Sequence, residues 1–106
     1  MKLLKNDIEK IYNNLDKLEN TYFNNKKILL LGSDGFIGRY FTEYFSLLLN
    51  KKFVFKVDCV DNHISSNKQK KNLHHKNIKF YNQDILKFDK KKKYNIIIFL
   101  AGIASP

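Results

Sequence analysis

The sequence predicts an α/β fold built on a small parallel sheet, and three observations carry that prediction. Short apolar runs recur along the chain, bounded by turn residues. The stretches between them have helical spacing or a polar loop composition. The first apolar run ends in evenly spaced glycines. Strands that alternate with helices or crossovers pack as a parallel sheet with right-handed connections, because a twisted strand feeding a helix returns to the sheet in that hand. The expected order across the sheet is 3-2-1-4, with an N-terminal amphipathic helix ahead of the first strand. At 106 residues, 43% of them hydrophobic, the chain has enough apolar surface for one small domain.

Residues 1–25 read as a helical extension. Leu4, Ile8, Ile11, Leu15, Leu18 and Tyr22 recur at four- and three-residue steps, which lines them along one helical stripe. The run NDIE, Asn6 to Glu9, has the form of a helix N-cap followed by an acidic third residue, so a helix start is expected there. Two readings of this helix stand: it packs on its own domain, or its narrow, heptad-like stripe meets a partner.

Residues 26–106 read as the sheet unit. KILLLG (27–32) is continuously apolar and ends in Gly, as a strand buried on both faces does. FIGRYFTEYFSLLLN (36–50) keeps helical spacing through Ile37, Tyr40, Phe41, Tyr44, Phe45 and Leu48. A second strand is expected over 52–62, rich in Val and Phe and closed by Asp and Asn. The polar stretch 63–77 is a loop, and a third strand falls at 78–84. A brief helix or turn spans 85–93, and a fourth strand covers 94–102.

Charge and cysteine content narrow the function classes. The formal net charge is +10, yet Arg39 is the only arginine among twenty basic residues. Arginine is the side chain that reads bases bidentately, and Lys and Asn enrichment of this kind follows codon bias, so nucleic acid is not the expected partner. A basic protein that binds nucleic acid stays as a further alternative. Cys59, the single cysteine, sits among apolar neighbours and reads as a buried structural thiol. His63, His74 and His75 lie in the polar loop with no cluster to complete a metal site. No segment approaches the ~18 apolar residues of a membrane span, and no secretory leader is evident. A cytoplasmic protein with no membrane partner is expected.

Gly32, Gly35 and Gly38 stand in the pattern G-x-x-G-x-x-G between a strand and a helix. Around a dinucleotide, the first glycine permits the sharp turn and the second lets the backbone approach the pyrophosphate. The third lets the helix pack close to the strand. The helix start, with Phe36 and Ile37, then presents backbone N–H groups and the positive end of its dipole. Asp61, twenty-three residues past Gly38, ends the second strand, where a carboxylate accepts both ribose hydroxyls and favours NAD over NADP. Asp58 competes for that role; Asp61 is preferred because it closes the strand. After the third strand, Asp84 can accept the adenine amino proton while the N–H that follows, at Ile85, meets a ring nitrogen. FLAGIASP places the small residues Ala101 and Gly102 after Leu100, where a backbone passes close to a flat ligand.

GSDGFIGRYF (32–41), VDN (60–62, ending in Asn62), YNQDI (81–85) and IIIFLAGIASP (96–106) together resemble the extended short-chain dehydrogenase/reductase family, NAD-dependent epimerases and dehydratases. The ending is similar to that of the sugar-nucleotide decarboxylases and dehydratases, with Phe99 and Gly102 departing from their pattern. The resemblance implies a partial Rossmann-like, doubly wound sheet. It also implies NAD as cofactor, held by Gly32, Gly35, Phe36, Ile37, Gly38, Asp61, Asn62, Asp84, Ile85, Leu100, Ala101 and Gly102. A nucleotide sugar would be the partner of a longer, dimeric enzyme. The family's catalytic Tyr-x-x-x-Lys lies beyond its fourth strand, so no catalytic residue is expected in this chain. Tyr22-x-x-x-Lys26 precedes the first strand and reads as a chance match. The chain is therefore expected to be the N-terminal NAD-binding portion of such an enzyme. The alternative is a stand-alone, non-catalytic dinucleotide-binding or regulatory module.

Overall fold

A computed structural model of the chain describes residues 2–15, 20–62, 75–89 and 93–100. The element order is α1 (Lys2–Asn14), β1 (Lys27–Leu31), α2 (Phe36–Asn50), β2 (Lys56–Asp61), β3 (Ile78–Asn82), a 3₁₀ turn (Ile85–Lys87) and β4 (Ile96–Phe99). The four strands form one parallel sheet in the order β3-β2-β1-β4, as the sequence predicts. This is the first part of a doubly wound, Rossmann-like arrangement.

Side chains alternate across the sheet and so divide the apolar residues between two faces. On the first face, Ile28 and Leu30 of β1 with Val57 and Cys59 of β2 pack beneath Phe45, Leu48 and Leu49 of α2. Tyr12 of α1 and Phe23 also pack against this cluster, and α1 lies on α2. On the second face, Leu29, Leu31 and Val60 are covered by Phe88, with Ile85 and Tyr94 alongside. Cys59 is fully buried, which bears out its structural reading.

Several boundaries differ from expectation for identifiable reasons. Helix α1 begins at Lys2, so Asn6 lies inside the helix and does not cap it. Burial along the stripe is uneven, and Leu18 lies outside the described residues. Ile8 is 3% exposed, but Ile11 is 41% exposed, and Tyr22 lies in a turn, 58% exposed. Beyond α1, the buried Asn20 amide donates to the Tyr12 and Leu15 carbonyls at 3.1 and 3.3 Å. It thereby satisfies acceptors that the helix end leaves open. Asn20 Oδ1 in turn accepts the Tyr44 hydroxyl at 2.7 Å, tying this corner to α2.

The second strand starts at Lys56, four residues later than expected. The intervening residues terminate α2. Lys52 takes φ 74°, its N–H donates to Leu49 O, and the Phe53 N–H reaches back to Leu48 O, both at 3.1 Å. That bond pair is a Schellman motif, here closed by lysine where glycine is usual. Asn24 Oδ1 then accepts the Val54 N–H at 3.0 Å, guiding the chain into β2.

Candidate functional site

The glycine turn lies at the carboxyl end of β1, where β1 hands the chain to α2 on the first face. Gly32 has φ 95°, a left-handed conformation that only glycine adopts without strain. Its N–H donates to Val60 O at 2.8 Å, fixing the turn against β2. Gly38 is required for a different reason. A Cβ there would stand 2.3 Å from Gly32 O and 2.7 Å from Ser33 backbone atoms, so α2 can seat against the turn only with glycine at this position.

Gly35 is required by neither argument. Its φ −75° and ψ 175° suit any residue, and an added Cβ would meet only Gly32 O, at 3.8 Å. It is the N-cap of α2, with no side-chain cap hydrogen bond. The first helical turn therefore presents its N–H groups and the positive end of the dipole without a side chain in the way. A bare backbone here leaves room for a group approaching from outside.

Asp61 closes the other side of the turn. It is 9% exposed, and its Oδ2 accepts the Asp34 N–H at 3.1 Å. The structure thus joins Gly32, Gly35, Gly38 and Asp61 in one place, with Phe36 and Ile37 exposed on the opening turn of α2 and Asn62 exposed beyond β2. Asp58 stands on the second face. It is 6% exposed, with its Oδ2 accepting the Tyr94 hydroxyl at 2.6 Å. Burial first, and then that hydrogen bond, hold the Tyr94 phenol well above its ordinary value.

Asp84 is exposed, and its Oδ1 caps the 3₁₀ turn by accepting the Leu86 N–H at 3.0 Å. Ile85 packs inward toward Phe88. Leu100 is half-buried against the first-face core and donates its N–H to Leu31 O at 2.8 Å, beside the glycine turn. Ala101 and Gly102 lie outside the described residues, as do His63 and His74. His75 Nδ1 accepts the Asn77 N–H at 3.0 Å, and no metal cluster occurs among the described residues. Tyr22 and Lys26 lie ahead of β1, at the end of that strand away from the glycine turn, with the Lys26 ammonium donating to Tyr22 O.

One residue of the turn has no role in the sequence reading. Ser33 is 2% exposed, and its Oγ has no hydrogen-bond partner among the described residues. A buried hydroxyl left unsatisfied costs about 1–3 kcal/mol. Sequence offers no signal for it, because serine in a glycine turn is ordinary turn material.

The fold and turn define a class: a partial Rossmann-like α/β sheet with a glycine turn at the carboxyl end of its first strand. No protein-family model matches the chain, and comparison with curated proteins and with solved structures finds no match. Among the described residues, no helix is long and apolar enough to cross a membrane.

Proposed function

We propose that the chain binds NAD at the glycine turn and forms the NAD-binding portion of a nucleotide-sugar epimerase, dehydratase or decarboxylase. The observation that carries the reading is Gly35. Neither backbone conformation nor internal packing asks for glycine there, and the opening it leaves sits at a helix N-terminus beside a carboxylate. The Ser33 hydroxyl supports the same reading, as a buried polar group of the turn without a partner among the described residues.

In this reading the Gly32–Gly38 turn holds the pyrophosphate, Asp61 the adenosine ribose, and Asp84 with the Ile85 N–H the adenine. Leu100 lies at the exit of the fourth strand, on the way the ligand would take. Bound NAD supplies a hydride acceptor and donor. The chain's own residues bind and orient it. In the non-catalytic alternative, the same turn holds the same ligand without chemistry.

Calorimetric titration with NAD tests the proposal. Gly35→Val adds a Cβ that makes an ordinary 3.8 Å contact with Gly32 O, and it should change stability by no more than about 1 kcal/mol through the cap. It should weaken NAD binding at least tenfold. Asp61→Ala should weaken binding by about 1–3 kcal/mol, but it also releases the Asp34 N–H, so the glycine variant decides. A folded Gly35→Val variant that binds NAD as tightly as the parent would end this reading.

A further inference from the structure

A second concentration of chemistry lies on the second face, at the amino-terminal end of the sheet. Lys27 and Lys56 are the first residues of β1 and β2 and are direct register partners. Lys79, one strand further on, pairs with Asp58. By alternation, positions 27, 56, 58, 79 and 81 all present their side chains to this face. Lysine directly beside lysine is an unfavourable pairing on a sheet, so this row detracts from stability.

The row encloses a cavity of about 350 Å³, completed by Lys76, Asn77 and Tyr81. An adjoining cavity of about 240 Å³ shares Lys27, Lys56 and Asn77 and adds Lys26. Among the described residues Asp58 is the only carboxylate in either wall; it is buried, and its Oδ2 accepts the Tyr94 hydroxyl. The Lys27 ammonium stands 5.2 Å from the centroid of the same Tyr94 ring, which fixes one end of the row.

We propose that this cavity binds a small molecule carrying two or more phosphate groups, independently of the glycine turn at the other end of the strands. Four lysines and one carboxylate line the cavity, an excess of positive charge that concentrates anions and that low-dielectric walls focus. Lysine offers phosphate a point charge with rotatable donors and needs no planar fork, which suits a site containing no arginine. The volume lies in the range of small-ligand pockets, and the site is concave, whereas a polymer calls for a long exposed stripe. The lysines are spread across three neighbouring strands, about 10 Å in all, so linked phosphates reach them where a single phosphate does not.

Titration of the full chain with tripolyphosphate at low salt tests the proposal. Saturable one-to-one binding is expected, with orthophosphate at least tenfold weaker. The double variant Lys56→Gln/Lys79→Gln should weaken tripolyphosphate binding at least tenfold. Both side chains are exposed and their removal relieves repulsion, so the fold should be retained, as circular dichroism will show. Gly35→Val should leave this binding unchanged. An equal loss in Lys51→Gln/Lys87→Gln, which removes the same charge elsewhere, would overturn the site in favour of general charge attraction. Unchanged affinity in Lys56→Gln/Lys79→Gln would overturn it as well. Tighter, salt-steep binding of duplex DNA, lost in that same variant, would replace the small ligand with a nucleic acid.

Discussion

Helices cover one face of the sheet, while a short connection covers the other. On the first face Phe45 is fully buried, with Phe23, Phe55 and Phe41 rings at 5.0, 5.6 and 5.9 Å. On the second face Leu29, Leu31 and Val60 are equally buried at the centre, yet Ile97 and Phe99 at the β4 edge are 53% and 51% exposed. The topology explains the difference. From β1 to β2 the chain moves one way across the sheet, and from β3 to β4 it moves back. Right-handed crossovers therefore place the two connections on opposite faces. The first connection contains the fifteen-residue α2, and the second, among the described residues, has a three-residue 3₁₀ turn. A single 3₁₀ turn is too short to roof a four-stranded face, and among the described residues nothing else covers Ile97 and Phe99 at its outer edge.

Paired truncations give the largest effect and test this contrast directly. Phe45→Ala should lose about 3–5 kcal/mol, the range for a fully buried ring whose neighbours cannot collapse into the space. Phe88→Ala removes the ring that roofs the second face, 8% exposed and 5.4 Å from Tyr81. It should lose about 2 kcal/mol, because a partly open face can relax around the gap. Urea denaturation midpoints at constant m-value supply the comparison. Equal losses would show that the second face is a core in its own right.

A middle-sized effect concerns the polar centre of the second face. Tyr94→Phe leaves a carboxylate oxygen of the buried Asp58 without its donor, which should destabilise by about 1–3 kcal/mol. The phenol also gives the face a pH signature. Burial and Asp58 raise the Tyr94 pKa above its ordinary value near 10, so the folded protein keeps that proton after the unfolded chain has lost it. The resulting stabilisation is complete below pH 10 and is lost as pH rises through the folded value. Stability should therefore decline with increasing pH beyond 10, and Tyr94→Phe should flatten the decline. Tyr81, raised by burial and by the charge of Asp58, retains a smaller slope. An unchanged slope in Tyr94→Phe would remove the pair from the energetics of this face.

The contrast also bears on what the sequence made legible. The apolar runs and the glycine spacing reveal the strand order, α2 and three of the four residues that meet at the turn, because period and turn chemistry are local signals. Asp61 is legible as the acid closing a strand, though its bond to the Asp34 N–H is not. The pairing of Asp58 with Tyr94 joins residues thirty-six apart, and nothing local marks either one as the other's partner. The start of α1 is misread because Asn6 looks like a cap while Leu3 and Leu4 ahead of it continue the helix. The start of β2 is misread because two lysines, Lys51 and Lys52, end α2 where a glycine would have announced the stop.

That lysine gives the smallest effect and asks how firmly the helical face is held. Lys52 is left-handed at φ 74°, an arrangement that costs a residue with a Cβ about 1–2 kcal/mol. Glycine would remove that strain but adds freedom to the unfolded chain worth roughly 0.5–1 kcal/mol. Lys52→Gly should therefore stabilise the protein by about 0.5–1 kcal/mol net. Asn25, also left-handed at φ 63°, should gain less from the same change, because asparagine tolerates this region. If α2 and the first face unfold as one unit, the Lys52→Gly gain will appear in the global denaturation midpoint. If it slows amide exchange only in the last turn of α2, at Leu47 to Asn50, that helix end frays by itself and the first face is less cooperative than its packing implies.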